Sequence, residues 1–226
     1  MPGHRTQQRN IVIRRAFVLA ALLLYPACGS KPAPTHSANS SKPSPAPAQT
    51  QTIRFADLSP EALQEYRVIL TTTLGKIEIE LLPHQAPEAV RQFLSVCQLG
   101  LYDHTAWHRI VRGSFIQGGD LSTRRPALSP AEIEHVNRRL KLEVGILKHE
   151  AGTVSMARSE TPGSSETSFF LCLARQPTLD GKYTIFGKVV SGMDVIGQIA
   201  NVSLEGDRPR LRWELARAEV VQKLRQ

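Results

Sequence analysis

The residues that could carry metal or covalent chemistry in this 226-residue chain are seven histidines, three cysteines and a pair of serines. Their spacing argues against both kinds of chemistry. No pair of histidines stands at ligand spacing with a supporting Cys, Asp or Glu pattern, so no metal site is expected. Gly163-Ser164-Ser165 lacks the second glycine and the strand–turn–helix setting of a nucleophile elbow. Cys97 falls in an apolar helical stretch and Cys172 in an apolar strand-like run, where buried free thiols are common. A disulfide between them is permitted in an oxidising compartment, but two positions do not fix one. Any enzymatic task here is therefore one that needs no metal, no covalent intermediate and no cofactor.

The elements that would position a site are mostly short strands. Tyr66–Thr72 and Lys76–Leu82 alternate apolar and polar residues around Thr73-Leu74-Gly75, which predicts a hairpin. A helix follows from Pro87, with Val90, Phe93, Leu94 and Cys97 on one face and Gly100 ending the run. Strand-like runs come next at Trp107–Val111, Phe115–Gln117, Thr153–Ala157, Phe169–Leu173 and Tyr183–Val189. A last one, Leu211–Val220, alternates through Leu211, Trp213 and Leu215. Ser129-Pro130-Ala131-Glu132 reads as a capping box opening a surface helix that reaches about Leu140. Many short strands with two or three helices predict a mainly β domain, a closed antiparallel barrel or a sandwich. Side chains fill the interior of an eight-stranded barrel, which would leave the working groove outside.

Charge divides unevenly along the chain. Arg5, Arg9, Arg14, Arg15, Lys31 and Lys42 precede the first acid, Asp57. Setting those six aside leaves 22 of the 28 basic residues against all 20 acids, a net +2 in place of +8. Most of the excess thus lies outside the domain, and no basic helix supports a nucleic-acid partner. Four arginines and the ten-residue apolar run Ala16–Tyr25 end at Pro26-Ala27-Cys28; ten residues suit a secretory signal better than a membrane span. The arrangement resembles a bacterial lipoprotein signal, which implies residues 1–27 are a signal peptide and Cys28 is lipidated. Arg14-Arg15 leaves Sec and Tat export both open. From Gly29 to Thr52 no aromatic or branched aliphatic residue occurs, so 28–52 is expected to be a disordered tether. Residues 53–65 then lead into a domain at 66–226, anchored to a membrane in the cell envelope or periplasm.

The chain resembles a cyclophilin-type peptidyl-prolyl cis/trans isomerase at His108-Arg109-Ile110-Val111 and Phe115-Ile116-Gln117-Gly118-Gly119-Asp120. Three further blocks stand in the family's order. They are Gly152-Thr153-Val154-Ser155-Met156-Ala157-Arg158, then Phe169-Phe170-Leu171, then Leu179-Asp180-Gly181-Lys182-Tyr183 running on through Val189. The resemblance covers about Tyr66 to Val221. It implies a closed eight-stranded antiparallel barrel capped by helices, with proline bound in a groove on its outer face.

By the same resemblance Arg109 is the catalytic arginine, and Gln117 orients it and contacts the substrate backbone. Phe115, Met156, Phe170 and Leu179 form the proline pocket, with Ala157 beside them and Tyr183 at the groove edge. Periodicity alone favours a barrel core for all four pocket residues, and only the resemblance reverses that. His108 precedes the arginine and is expected to be a buried structural histidine. Several residues depart from the family pattern. Ser114 replaces an aromatic, Ser168 a glutamine, and Thr178 the tryptophan whose N–H helps hold cyclosporin. Arg158 stands where many members carry asparagine, and the capped helix replaces a glycine-rich loop.

The leading expectation is an exported, lipid-anchored monomer that isomerises X-Pro bonds in proline-containing segments of exported proteins, without metal or cofactor. Ser114 and Ser168 motivate the alternative, a non-catalytic module that grips proline segments. A purely structural lipoprotein would have no use for Arg109.

Overall fold

The computed structural model describes residues 53–136, 139–158 and 167–223. The expected signal peptide, Cys28 and the tether lie outside the described residues, as does Gly163-Ser164-Ser165. The lead-in packs directly onto the domain. Phe55 is buried edge-on against Tyr66, with ring centroids 5.3 Å apart, and Leu63 closes the short helix α1 (Pro60–Leu63).

Strands β1 (Tyr66–Thr72) and β2 (Gly75–Leu81) form the expected hairpin, burying Val68, Leu70, Ile77 and Ile79 on one face. Gly75 is required at the turn: its φ is +144°, and a Cβ there would lie 2.7 Å from a methyl of Val195. Helix α2 (Pro87–Gln98) sets Val90, Phe93, Leu94 and Cys97 into the core as the 3.6-residue spacing predicts. Its Phe93 meets Phe169 edge-on at 5.3 Å and Phe186 at 4.9 Å.

The remaining elements are β3 (Thr105–Ala106), β4 (Arg109–Val111), β5 (Phe115–Gly118), α3 (Pro130–Val136), β6 (Thr153–Met156), β7 (Phe169–Cys172), β8 (Ile185–Ser191), α4 (Met193–Ala200), β9 (Leu204–Glu205), β10 (Arg208–Pro209) and β11 (Glu214–Gln222). The main sheet is antiparallel, in the order β3-β11-β1-β2-β8-β6-β7-β5-β4. It is a curled run of nine strands, and the pairing does not close a ring of eight. Its two end strands are nevertheless consecutive in the chain. The chain itself crosses that seam: just past β3 the Trp107 N–H donates to the Trp213 carbonyl beside β11 at 2.9 Å, and just before β4 the His108 N–H donates to the Gln117 carbonyl on β5 at 3.1 Å.

The capping box on α3 forms as read. The Ser129 N–H donates to Glu132 Oε2 at 2.8 Å, and the Glu132 N–H donates back to Ser129 Oγ at 3.3 Å. The helix does not reach Leu140 as expected, since Arg139 and Leu140 are not helical; its described span is Pro130–Val136, and the Val136 carbonyl accepts from Gln92 Nε2 at 2.7 Å. The last strand begins at Glu214 and not at Leu211, because the residues before it cross the seam and leave Leu211 69% exposed. Helix α4 is an element the apolar pattern did not separate from β8. Gly192, at φ +93°, breaks the strand, and Val195, Ile196 and Ile199 then turn into the core. Arg112 caps its far end, donating from Nη1 to the Ala200 carbonyl at 3.1 Å and from Nη2 to the Val202 carbonyl at 2.7 Å.

Candidate active site

Residues opposite one another in antiparallel strands share a face, so register alone builds the site. Arg109 on β4 faces Gln117 on β5, Gln117 faces Phe170 on β7, and Phe170 faces Ser155 on β6. The next outward row holds Val111, Phe115 and Cys172. Between them the inward row Ile110, Ile116, Leu171 and Val154 is at most 1% exposed and belongs to the main core. A two-residue period thus places the arginine, the glutamine and two phenylalanines on the outer surface.

There they form an apolar cluster separate from the core. Ala157, Phe170 and Cys172 are its buried members, and Phe115, Leu179 and Tyr183 pack against them half-buried. Phe170 lies 5.2 Å from the Phe115 ring and meets Tyr183 edge-on at 5.5 Å. Each such ring pair adds roughly 0.5–1.5 kcal/mol beyond the area it buries. Met156 is not brought into this cluster. It faces Phe169 on the inward parity, inside the main core, and reaches the surface only at a small adjoining cleft with Ala157, Arg158, Leu140, Leu142 and Thr184.

A buried polar chain backs the wall of the groove. The His149 ring stacks on Phe170 at 5.9 Å and 14°, Nε2 lies 3.0 Å from Ser155 Oγ, and Nδ1 lies 3.1 Å from Asp180 Oδ1. Arg175 and the His149 backbone N–H also donate to Asp180, holding its carboxyl well below the usual range. Ser155 and His149 are fully buried, so this chain of groups supports the wall and presents no nucleophile to a substrate.

Arg109 stands at the edge of the groove with its side chain 47% exposed and its guanidinium carbon 5.3 Å from the centre of the Phe115 ring. Its Nε donates to Asp207 Oδ2 at 2.7 Å, and that bond lowers the Asp207 pKa. Asp207 is a residue the sequence reading missed. Gln117 shares the face with Arg109 but makes no side-chain hydrogen bond to it among the described residues. His108 is half-buried, and desolvation lowers its pKa, which keeps the ring neutral near pH 7. Cys97 and Cys172 are both free and buried; burial raises the Cys172 thiol to about 12. Ser114 is half-buried in the β4–β5 turn, and Thr178 and Arg158 are exposed. Among the described residues no group of three or more His, Cys, Asp or Glu could hold a metal ion.

The curled antiparallel sheet thus carries an aromatic cluster on its outer face with an arginine beside it. The family model described as cyclophilin type peptidyl-prolyl cis-trans isomerase/CLD matches residues 67–220. Peptidyl-prolyl cis-trans isomerase CYP18-2 of Arabidopsis thaliana is 36% identical over 159 residues, covering 68% of this chain and 93% of that protein. Peptidyl-prolyl cis-trans isomerase-like 1 of Neurospora crassa is 36% identical over 156 residues, again covering 68% and 93%. A cyclophilin-type isomerase of Cryptosporidium parvum, solved in the presence of the dipeptide Ala-Pro, superimposes with a TM-score of 0.59 at 27% identity, covering 70% of this chain and 99% of that one. The chain belongs to the cyclophilin-type peptidyl-prolyl cis-trans isomerase family. It is a peptidyl-prolyl cis-trans isomerase.

Proposed function

We propose that this isomerase acts on proline-containing segments of exported proteins, through a twisted-amide transition state that the Arg109 guanidinium stabilises. Rotation about a prolyl bond is slow because amide resonance opposes it, with a barrier of roughly 20 kcal/mol. As the bond twists, resonance is lost and the prolyl nitrogen regains a lone pair. A fixed guanidinium that donates to that nitrogen, or to the neighbouring carbonyl, stabilises the twisted form more than either planar one. No bond to the protein forms, and no metal is needed.

The observation that carries this reading is the place of Arg109, directly over Phe115 and beside the cluster of Phe170, Leu179, Tyr183 and Ala157. In the proposal the proline ring lies on that cluster, with Gln117 toward the substrate backbone and Met156 behind Ala157. The Ala-Pro dipeptide present with the Cryptosporidium parvum protein supports a groove of this kind. The leader pattern ending in Cys28 supports export and a lipid anchor that holds the domain in the cell envelope.

A protease-coupled assay with a prolyl tetrapeptide tests the chemistry. Arg109→Ala should lower kcat/KM by about 10²–10³, or roughly 2.7–4 kcal/mol, as for loss of one positioned donor. Wild-type turnover by that variant would remove the role given to the guanidinium. Membrane fractionation of Cys28→Ser tests the anchor, and unchanged membrane association would overturn it.

A further inference from the structure

Arg109 is held in this molecule by a carboxylate at the tip of a hairpin that crosses the end of the sheet. Strands β9 and β10 pair Glu205 with Arg208, leaving Gly206 and Asp207 as the two turn residues, with φ +62° at Gly206. The hairpin is pinned to β4 at its tip, where the Ile110 N–H donates to the Asp207 carbonyl at 2.7 Å. The Asp207 carboxylate then receives the Arg109 Nε–H, also at 2.7 Å. One residue thus grips two consecutive positions of β4 across 98 residues of chain.

A guanidinium has its Nε–H on one flank and its two terminal amino groups on the others. Binding Nε to a carboxylate fixes one flank, and the Phe115 ring beneath Cζ restrains the plane. Neither terminal nitrogen makes a protein hydrogen bond among the described residues. The donors left over are therefore the ones free to meet a substrate.

We propose that Asp207 is a positioning residue for isomerisation, orienting Arg109 so that its terminal N–H groups face the twisting amide. This rests on the role given to Arg109 above. The pair is half-exposed on both sides, and an ion pair so placed contributes little to fold stability. A merely structural role would leave turnover unchanged. A positioning role appears in kcat and leaves KM alone, because a misplaced donor is lost mainly in the transition state.

The test compares Asp207→Ala, Asp207→Asn, Arg109→Ala and the double variant Arg109→Ala/Asp207→Ala in the full chain, with kcat and KM measured separately. Asp207→Ala should lower kcat about tenfold or more with KM within about twofold. Asp207→Asn, which keeps an acceptor of the same shape without the charge, should fall between. The double variant should match Arg109→Ala, because Asp207 acts only through that side chain. Wild-type kcat in both Asp207 variants, beside a crippled Arg109→Ala, would overturn the positioning role and leave the Arg109 reading intact. A double variant tenfold below Arg109→Ala would also overturn it. Wild-type kcat in Arg109→Ala would overturn both readings together.

Discussion

Thr178 is exposed on a 3-10 turn, Pro177–Leu179, whose next residue packs against the groove cluster. The family resemblance puts a tryptophan here whose N–H and ring help hold cyclosporin. Threonine supplies no ring, and its hydroxyl lies too close to the backbone to reach the same acceptor. Loss of one neutral hydrogen bond costs roughly 0.5–1.5 kcal/mol. Loss of about 100 Å² of apolar contact costs about 2.5 kcal/mol more. Together these weaken binding several hundred-fold, at about 1.4 kcal/mol per decade. Cyclosporin should therefore inhibit this isomerase only well above nanomolar concentration, and Thr178→Trp should recover part of the sensitivity. Nanomolar inhibition of the unaltered protein, read in the prolyl assay, would show that Thr178 carries no such weight. At this scale the family resemblance, and not the period, grouped Arg109, Phe115, Phe170 and Leu179, which the structure brings together on one face. It did not yield Asp207, a lone carboxylate in a polar turn whose partner is 98 residues away. It also set Met156 with the groove, although Ser155, one residue earlier, is what pairs with Phe170 on that face.

Helix α2 shows how an element can be legible while the contact that caps it is not. Its apolar stripe and first-turn proline are local, and both read correctly from the spacing. Its N-cap is Ala86, which has no side-chain acceptor. The cap comes instead from Glu143, which receives the Glu88 N–H at 3.1 Å and the Ala89 N–H at 2.9 Å. A carboxylate there also suits the positive end of the helix dipole. Glu143→Ala should lower the unfolding free energy by about 1 kcal/mol, as loss of an N-cap does, and Glu143→Gln by less. Urea titration measures both, and an unchanged midpoint in Glu143→Ala would show that solvent caps the helix equally well. Helix α4 failed to show for a different reason. Val195, Ile196, Gly197 and Ile199 have weak helix preference, and only the short stretch Ser191-Gly192-Met193-Asp194 separates them from the apolar run of β8. Packing of its apolar face decides its conformation, and only the tertiary structure reveals that.

At the scale of the whole molecule the curled sheet depends on the seam between its two end strands. Trp107 and His108 cross it, and the next residue is Arg109. The Trp107 ring is 1% exposed, edge-on to Phe169 at 5.9 Å, and lies flush against Gly118 of β5. A Cβ at Gly118 would stand 2.9 Å from Trp107 Cε3 and 3.0 Å from Cζ3. The indole is itself buried against Phe169 in the core, so making room for a methyl group means repacking that cluster. Gly118→Ala should therefore destabilise the fold by about 1–3 kcal/mol through overpacking. The chain has two tryptophans, Trp107 and Trp213, and both flank this seam, so intrinsic fluorescence reports on it directly. Its urea midpoint should fall together with that of far-UV circular dichroism if seam and sheet unfold as one. Glu143→Ala offers a control of comparable stability loss, far from the seam in the chain. At a temperature where both variants remain folded, Gly118→Ala should lose kcat as well, because strain at Trp107 passes through His108 to the guanidinium. Wild-type stability and wild-type kcat in Gly118→Ala would show that the tryptophan yields without disturbing the strand that carries Arg109.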